Sequence, residues 1–156
     1  MERTNMTLED RLDQLEEKIS IDETNINAEL IKHPHDFYHV AKGAADAVSE
    51  RDMAKFEVET YEASLYLTIR RDLTDRGEKF TESLLEHMIH NSDDRIKRVD
   101  NYLVAKHLAD RWLALKESFV QKGYMLKEII DNRKSDNIAE GSYASQRREA
   151  MTNYKR

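Results

Sequence analysis

Cysteine is absent from the 156 residues. That removes disulfides, thiol nucleophiles, thiolate zinc sites and cysteine-ligated iron–sulfur clusters, and it fits a reducing cytoplasm. Proline occurs once and glycine four times, too little turn material for a β-barrel or sandwich. Long apolar runs are missing as well: none exceeds four residues, Tyr102–Ala105 and Trp112–Leu115 being the longest. A membrane span takes about 20 apolar residues, and no signal-peptide core is legible. The expectation is a single-domain cytoplasmic protein with no membrane partner.

What is present is charge. Charged residues make up 36% and apolar residues 39% of the chain, the composition of long, solvent-washed helices. The net charge of −6 is uneven, with residues 1–30 holding 3 basic and 9 acidic residues and residues 133–156 holding 6 basic and 3 acidic. Attraction of the whole molecule to nucleic acid is disfavoured, because phosphate binding is driven by clustered Lys and Arg; a local basic face remains open.

Hydrophobic spacing predicts an all-α chain. Thr7 ahead of Leu8-Glu9-Asp10 forms a capping-box pattern, and Leu8, Leu12, Leu15 and Ile19 follow as one narrow stripe. A second helix is expected to start near Asp22 or Thr24 and to end or restart at Pro34. A short helix over 36–48 follows, weakened by Gly43. The next runs from Ser49 to Leu73 on Ala54, Val58, Tyr61, Leu65 and Ile69, widened by Phe56, Tyr66 and Leu67. Asp75-Arg76-Gly77 ends it. Thr81 or Ser83 caps a short helix through Ile89, and Asn91-Ser92-Asp93 starts a last helix of about 40 residues, reaching about Arg133. Its stripe is Tyr102, Ala105, Ala109, Trp112, Lys116, Phe119, Gly123, Leu126 and Ile130, with a second stripe of Val99, Leu103, Leu113, Val120 and Tyr124 beside it. Two stripes on one long helix predict a homo-oligomer. After Lys134 the periodicity stops, so residues 1–134 are expected to form the helical domain and 135–156 a mostly disordered basic tail.

Catalysis finds no constellation to rest on. There is no nucleophile elbow and no phosphate-cradling glycine loop. Of six histidines, His35 and His39 stand four apart and His87 and His90 three apart. Zinc needs three or four protein ligands, so half-exposed helix histidines are the expectation, with no metal and no cofactor. A di-iron bundle would need two Glu-x-x-His motifs; Asp36-x-x-His39 is the nearest approach. Basic clusters are the remaining signal: Arg70-Arg71 with Arg76 and Lys79, Arg95 with Lys97 and Arg98, and Arg133-Lys134, with Lys55 upstream of the first.

Several segments taken in order resemble the phage UvsY-like recombination mediators. Val99-Asp100, Trp112-x-x-Leu115 and Lys122-Gly123-Tyr124-Met125-Leu126-Lys127-Glu128-Ile129-Ile130 are similar to that family's closing helix. Ile21-Asp22-x-Thr24 is similar to the start of its second helix, and Lys55-Phe56-Glu57 through Arg70-Arg71-Asp72 to its central helix. The resemblance spans residues 8–134. It implies a non-enzymatic helical protein assembling into rings of about six or seven subunits. Such a protein binds single-stranded DNA and helps a RecA-like recombinase replace the single-strand-binding protein. It also implies DNA contact by Arg70 and Arg71, with Lys55 and Arg76 as weaker matches. The best-known member of that family is basic, whereas this chain is acidic, with a net charge of −6. The alternative from another class is a structural or scaffold subunit assembling through the long helix.

Overall fold

In the computed structural model, which describes the backbone of residues 6–153 and the side chains of residues 6–135, every regular element is helical. Helix α1 spans Leu8–Glu16, a 3₁₀ turn spans Glu23–Asn25, α2 spans Ile26–Asp75, α3 spans Glu82–His90 and α4 spans Asp93–Asn153. The all-α class is as expected.

The expected caps of α1 and α3 form. The Thr7 side chain accepts from the Asp10 N–H while the Asp10 carboxylate accepts from the Thr7 N–H. The same contacts, led by the Thr7 hydroxyl, hold the Asp10 carboxyl below the usual carboxylate range. Thr81 caps α3, whereas α2 is capped by Asn25 and not by the expected Asp22 or Thr24, Asp22 capping the 3₁₀ turn before it. At the end of α2 the Glu78 N–H bonds back to the Leu73 carbonyl and the Gly77 N–H to the Thr74 carbonyl, with Gly77 at φ 69°. This six-to-one, five-to-two pairing needs a left-handed residue, which glycine supplies without a Cβ clash.

Three expected segments fuse. Pro34 neither ends nor restarts a helix; α2 is continuous from Ile26 through Pro34 and Gly43 to Asp75. Proline forfeits the N–H that would reach Leu30, but Pro34 and Leu30 both lie on the exposed face, where water can serve the freed carbonyl. Packing on the opposite face then decides the matter. Helix α4 likewise runs past Arg133 to Asn153, with no backbone break at Lys134. Residues 134–153 contain no Pro and one Gly, so nothing in them stops a helix already under way. Over 135–153 that helical backbone stands where a mostly disordered tail was expected, and residues 154–156 lie outside the described ones.

Helices α2 and α4 form a long antiparallel hairpin. Glu23 meets Arg133, His33 meets Phe119, Gly43 meets Trp112 and Tyr61 meets Ser92. At about 1.5 Å per residue α2 alone is about 75 Å long. Small residues of α2 face large ones of α4: Gly43, Ala44 and Ala47 lie against Trp112, Leu115 and Phe119 in one buried cluster with Leu12 and Val40. On α4 the buried stripe passes through Leu115 rather than Lys116, which is exposed. Phe56 and Leu67 are not part of the α2 core face; they are 67% and 66% exposed. The second α4 stripe is also open, with Leu103 at 52% and Tyr124 at 66%.

Helix α1 lies across the hairpin as a third strand of the bundle. Arg111 of α4 binds Asp13 at 2.9 Å and Glu16 at 3.1 Å, and Lys18 binds Asp36 of α2 at 2.8 Å. The Asp13 and Glu16 carboxylates push the Arg111 guanidinium further up. Below α1, Lys122 is 6% exposed and donates to the carbonyls of Lys18 at 2.8 Å and Ser20 at 3.1 Å. Its remaining contact is Glu29 at 2.6 Å. All three ammonium donors therefore have acceptors, which is what makes a buried lysine tolerable.

Candidate nucleic-acid interface

The basic residues singled out in the sequence fall in three places. One is the far end of the hairpin, where Arg133 donates to the Glu23 carbonyl at 2.8 Å and Lys134 pairs with Asp131 at 3.9 Å. Arg70 and Arg71 sit in the last turns of α2, Arg76 caps its C-terminus, and Lys79 follows in the connection to α3. All four side chains are exposed. Lys55 is fifteen positions before Arg70 on the same helix, about 22 Å along the axis at the α-helical rise. It is tied to Glu59 at 3.6 Å. The tip of the hairpin thus gathers Arg70, Arg71 and Arg76 and leaves Lys55 out.

Clustering sets the tip apart from the rest of the hairpin. There the exposed Lys32, Lys42, Lys106, Lys116 and Lys127, also outside any ion pair among the described residues, are scattered singly. Among the described residues no carboxylate stands within 4.0 Å of Arg70, Arg71, Arg76 or Lys79 in an ion pair, while Arg51, Lys55 and Arg95 each have one. Arg70 donates to the Tyr66 hydroxyl at 3.4 Å, and that hydroxyl donates to Glu82 of α3 at 3.1 Å. Tyr66 therefore braces α3 against α2. Residues 70–79 still carry Asp72, Asp75 and Glu78 among the four bases, so the tip is only mildly positive.

Two of the three residues in the second basic cluster are taken up by α2, while the Lys97 side chain stays 76% exposed. Arg95 pairs with Glu62, Arg98 lies 4.7 Å from the Tyr61 ring centroid, and Lys97 pairs with Asp94 at 3.9 Å. The Arg98–Tyr61 stack and the Tyr61–Ser92 contact at 3.0 Å fix the helices where α1 no longer covers them.

Of the histidines only His33 is packed into the hairpin; the other five are exposed. His33 stacks on Phe119 at 6.0 Å and on Phe37 at 6.2 Å. Burial, with the Lys122 charge, holds its imidazole below the ordinary histidine range. His35 and His39 meet edge-on at 4.5 Å. Among the described residues no group of three or more His, Asp or Glu is set to hold a metal ion, and no helix is long and apolar enough to cross a membrane. Spacing alone could not have found the Lys122–Glu29 latch, since lysine on a helix normally reads as solvated. Comparison with protein-family models, with curated proteins and with solved structures finds no match.

Proposed function

We propose that the chain is a non-enzymatic, single-stranded-DNA-binding recombination mediator that works as a homo-oligomer, helping a RecA-like recombinase displace single-strand-binding protein. The observation that carries this reading is the hairpin tip: Arg70, Arg71, Arg76 and Lys79 are exposed and free of ion pairs among the described residues. The resemblance to the UvsY-like mediators supports it. Cations without carboxylate partners are the ones available to phosphates, and neutralising phosphates releases counterions. One tip among three carboxylates binds weakly; several copies around a ring, about six or seven as in that family, meet one strand at high effective concentration. The scaffold-subunit alternative draws on the exposed Met53, Phe56 and Leu67, which an assembling protein of either kind would cover.

The test is fluorescence anisotropy of a labelled deoxythymidine oligonucleotide at low and at moderate salt. Wild-type affinity should fall steeply with salt and show little sequence preference. Arg70→Glu with Arg71→Glu should abolish binding and leave the oligomer's mass unchanged. A double variant that binds like wild type moves the site elsewhere. Wild-type protein that shows no salt-sensitive binding sinks the mediator reading and leaves the scaffold one.

A further inference from the structure

The connection between α1 and α2 runs from Glu17 to Asp22 over a cleft of ≈ 650 Å³. Lys122 of α4 holds it by the carbonyls of Lys18 and Ser20, at 2.8 and 3.1 Å, and is itself neutralised by Glu29 at 2.6 Å. Lys18 is neutralised by Asp36 at 2.8 Å. Two cations thus face two carboxylates. The remaining charged or titratable groups on the cleft are Glu17 and Asp22 of the connection and Lys32 and His35 of α2. His33 lies beside this balanced set, stacked between Phe37 and Phe119. Its Nε2 edge is against Gly123, where a Cβ would stand 2.9 Å away, and its Nδ1 is buried without a hydrogen-bond partner. A neutral imidazole tolerates that, because one of its nitrogens carries no proton. An imidazolium has N–H on both, and a buried donor without an acceptor is costly. Burial, with the Lys122 charge, outweighs the pull of Asp36 and Glu29 on the imidazole.

We propose that the α1–α2 connection is an acid-opened strap, latched on Lys122 while His33 is neutral and released when His33 takes up a proton. Glu29 and Asp36 already serve Lys122 and Lys18, so a third positive charge has no carboxylate of its own. It repels Lys122 and competes with it for Glu29. Lys122 then no longer bridges Glu29 and the two carbonyls, and the strap comes away. The release is local: Leu12 stays in the cluster of Val40, Ala44 and Trp112, and Arg133 still holds the Glu23 carbonyl. The latched form excludes the proton and the open form accepts it, so opening sets in as pH falls below about 6.5. Histidine switches of this kind need only a small bias on an element with two positions. The proposal does not depend on the mediator reading.

The full-length protein is treated with a glutamate-specific protease at about pH 7.5 and about pH 5, either side of the histidine range. Cleavage after Glu17 is followed by mass spectrometry. Comparing variants with wild type at each pH cancels the protease's own pH dependence. Wild type should be cleaved faster than His33→Phe at the acid pH and at the same rate at the upper one. His33→Gln also cannot take up a proton, so the ratio of its rate to that of His33→Phe should not change with pH. Lys122→Met lacks the latch and should be cleaved fast at both. Helix content by circular dichroism and the emission of Trp112, the only tryptophan, should stay unchanged in wild type, since the opening is local. Equal rates for wild type and His33→Phe at the acid pH overturn the proposal. So does slow cleavage of Lys122→Met, or a wild-type loss of helix signal in step with cleavage.

Discussion

Gly43→Ala sets helix propensity against packing. In a helix interior alanine is favoured over glycine by about 1 kcal/mol, and Gly43 lies mid-helix in α2. On propensity alone the substitution stabilises. A Cβ at position 43, however, would stand 2.2 Å from Cη2 and Cζ3 of Trp112 and 2.7 Å from Cζ2. Carbon atoms pack at about 3.5–4.0 Å, so the indole has to retreat by more than an ångström. It has nowhere to go, because Trp112 is 0% exposed and sits in one cluster with Ala44, Leu115 and Phe119. Overpacking a filled core costs about 1–3 kcal/mol and occasionally more, and a contact this short on a rigid ring belongs at the upper end.

The net expectation is a loss of about 2 kcal/mol, or a fall in melting temperature of about 4–8 °C for a chain of this length. Thermal and urea unfolding followed by circular dichroism measure it, at fixed protein concentration. Gly77→Ala is the companion variant. Nothing lies within 4 Å of a Cβ there, but φ is +69°, so its cost of about 1–2 kcal/mol is purely conformational. If Gly43→Ala raises the melting temperature, propensity has won and the close approach of α2 to Trp112 is refuted.

Lys122→Met should cost about 3 kcal/mol in urea unfolding, because it strands the Glu29 carboxylate, 18% exposed, and two α1-side carbonyls; a loss under about 1 kcal/mol would mean the latch is not formed. His33 is held below its ordinary range by burial, so the unfolded chain takes up the proton first as pH falls through about 6.5. Its contribution is therefore complete above that pH and declines below it, down to the folded value. His33→Phe should flatten that part of a melting-temperature profile, and an unchanged slope would show that another group sets it. Phe56→Glu with Leu67→Glu, both at exposed positions, should leave the helix content intact and lower the mass seen in sedimentation; unchanged mass would put the proposed assembly contact elsewhere.

Much of this fold was legible because its signals are local. The Thr7–Asp10 box, the Gly77 stop, the Thr81 cap and the start at Asp93 each depend on a few neighbouring side chains, and each forms. The continuity of α2 was not legible, since Pro34 and Gly43 are locally breaker residues. Their tolerance comes from α4: an exposed back for Pro34, and the Trp112 ring seated on Gly43. The same reasoning explains Lys122, whose burial needs acceptors more than ninety residues away in sequence. At the tip, sequence position correctly grouped Arg70, Arg71 and Arg76. It could not reveal that Lys55 is tied to Glu59, or that Arg95 and Arg98 are absorbed by Glu62 and Tyr61.

The hairpin has an imbalance that bears on the proposed assembly. Helix α1 has nine residues, about 13 Å of cover at the helical rise, and beyond it α2 and α4 pair alone until α3. Two helices bury one stripe each. The outer face of α2 carries Ser49, Met53, Phe56, Thr60, Ala63 and Leu67 at alternating spacings of four and three, the spacing of a coiled-coil seam. The outer face of α4 offers Leu103, 52% exposed, and Val104, 70% exposed, at the matching level. Setting α2 of one copy against α4 of the next joins these two open stripes. A two-fold contact of α2 with itself in antiparallel register would set the acidic stretch 46–62, with six acidic and two basic residues, against its own copy, and it closes as a dimer that leaves the α4 face bare. Only the unlike-face contact uses both stripes, and repeated around an axis it is the kind that closes a ring. Each subunit of such a ring would present its hairpin tip at the same rim.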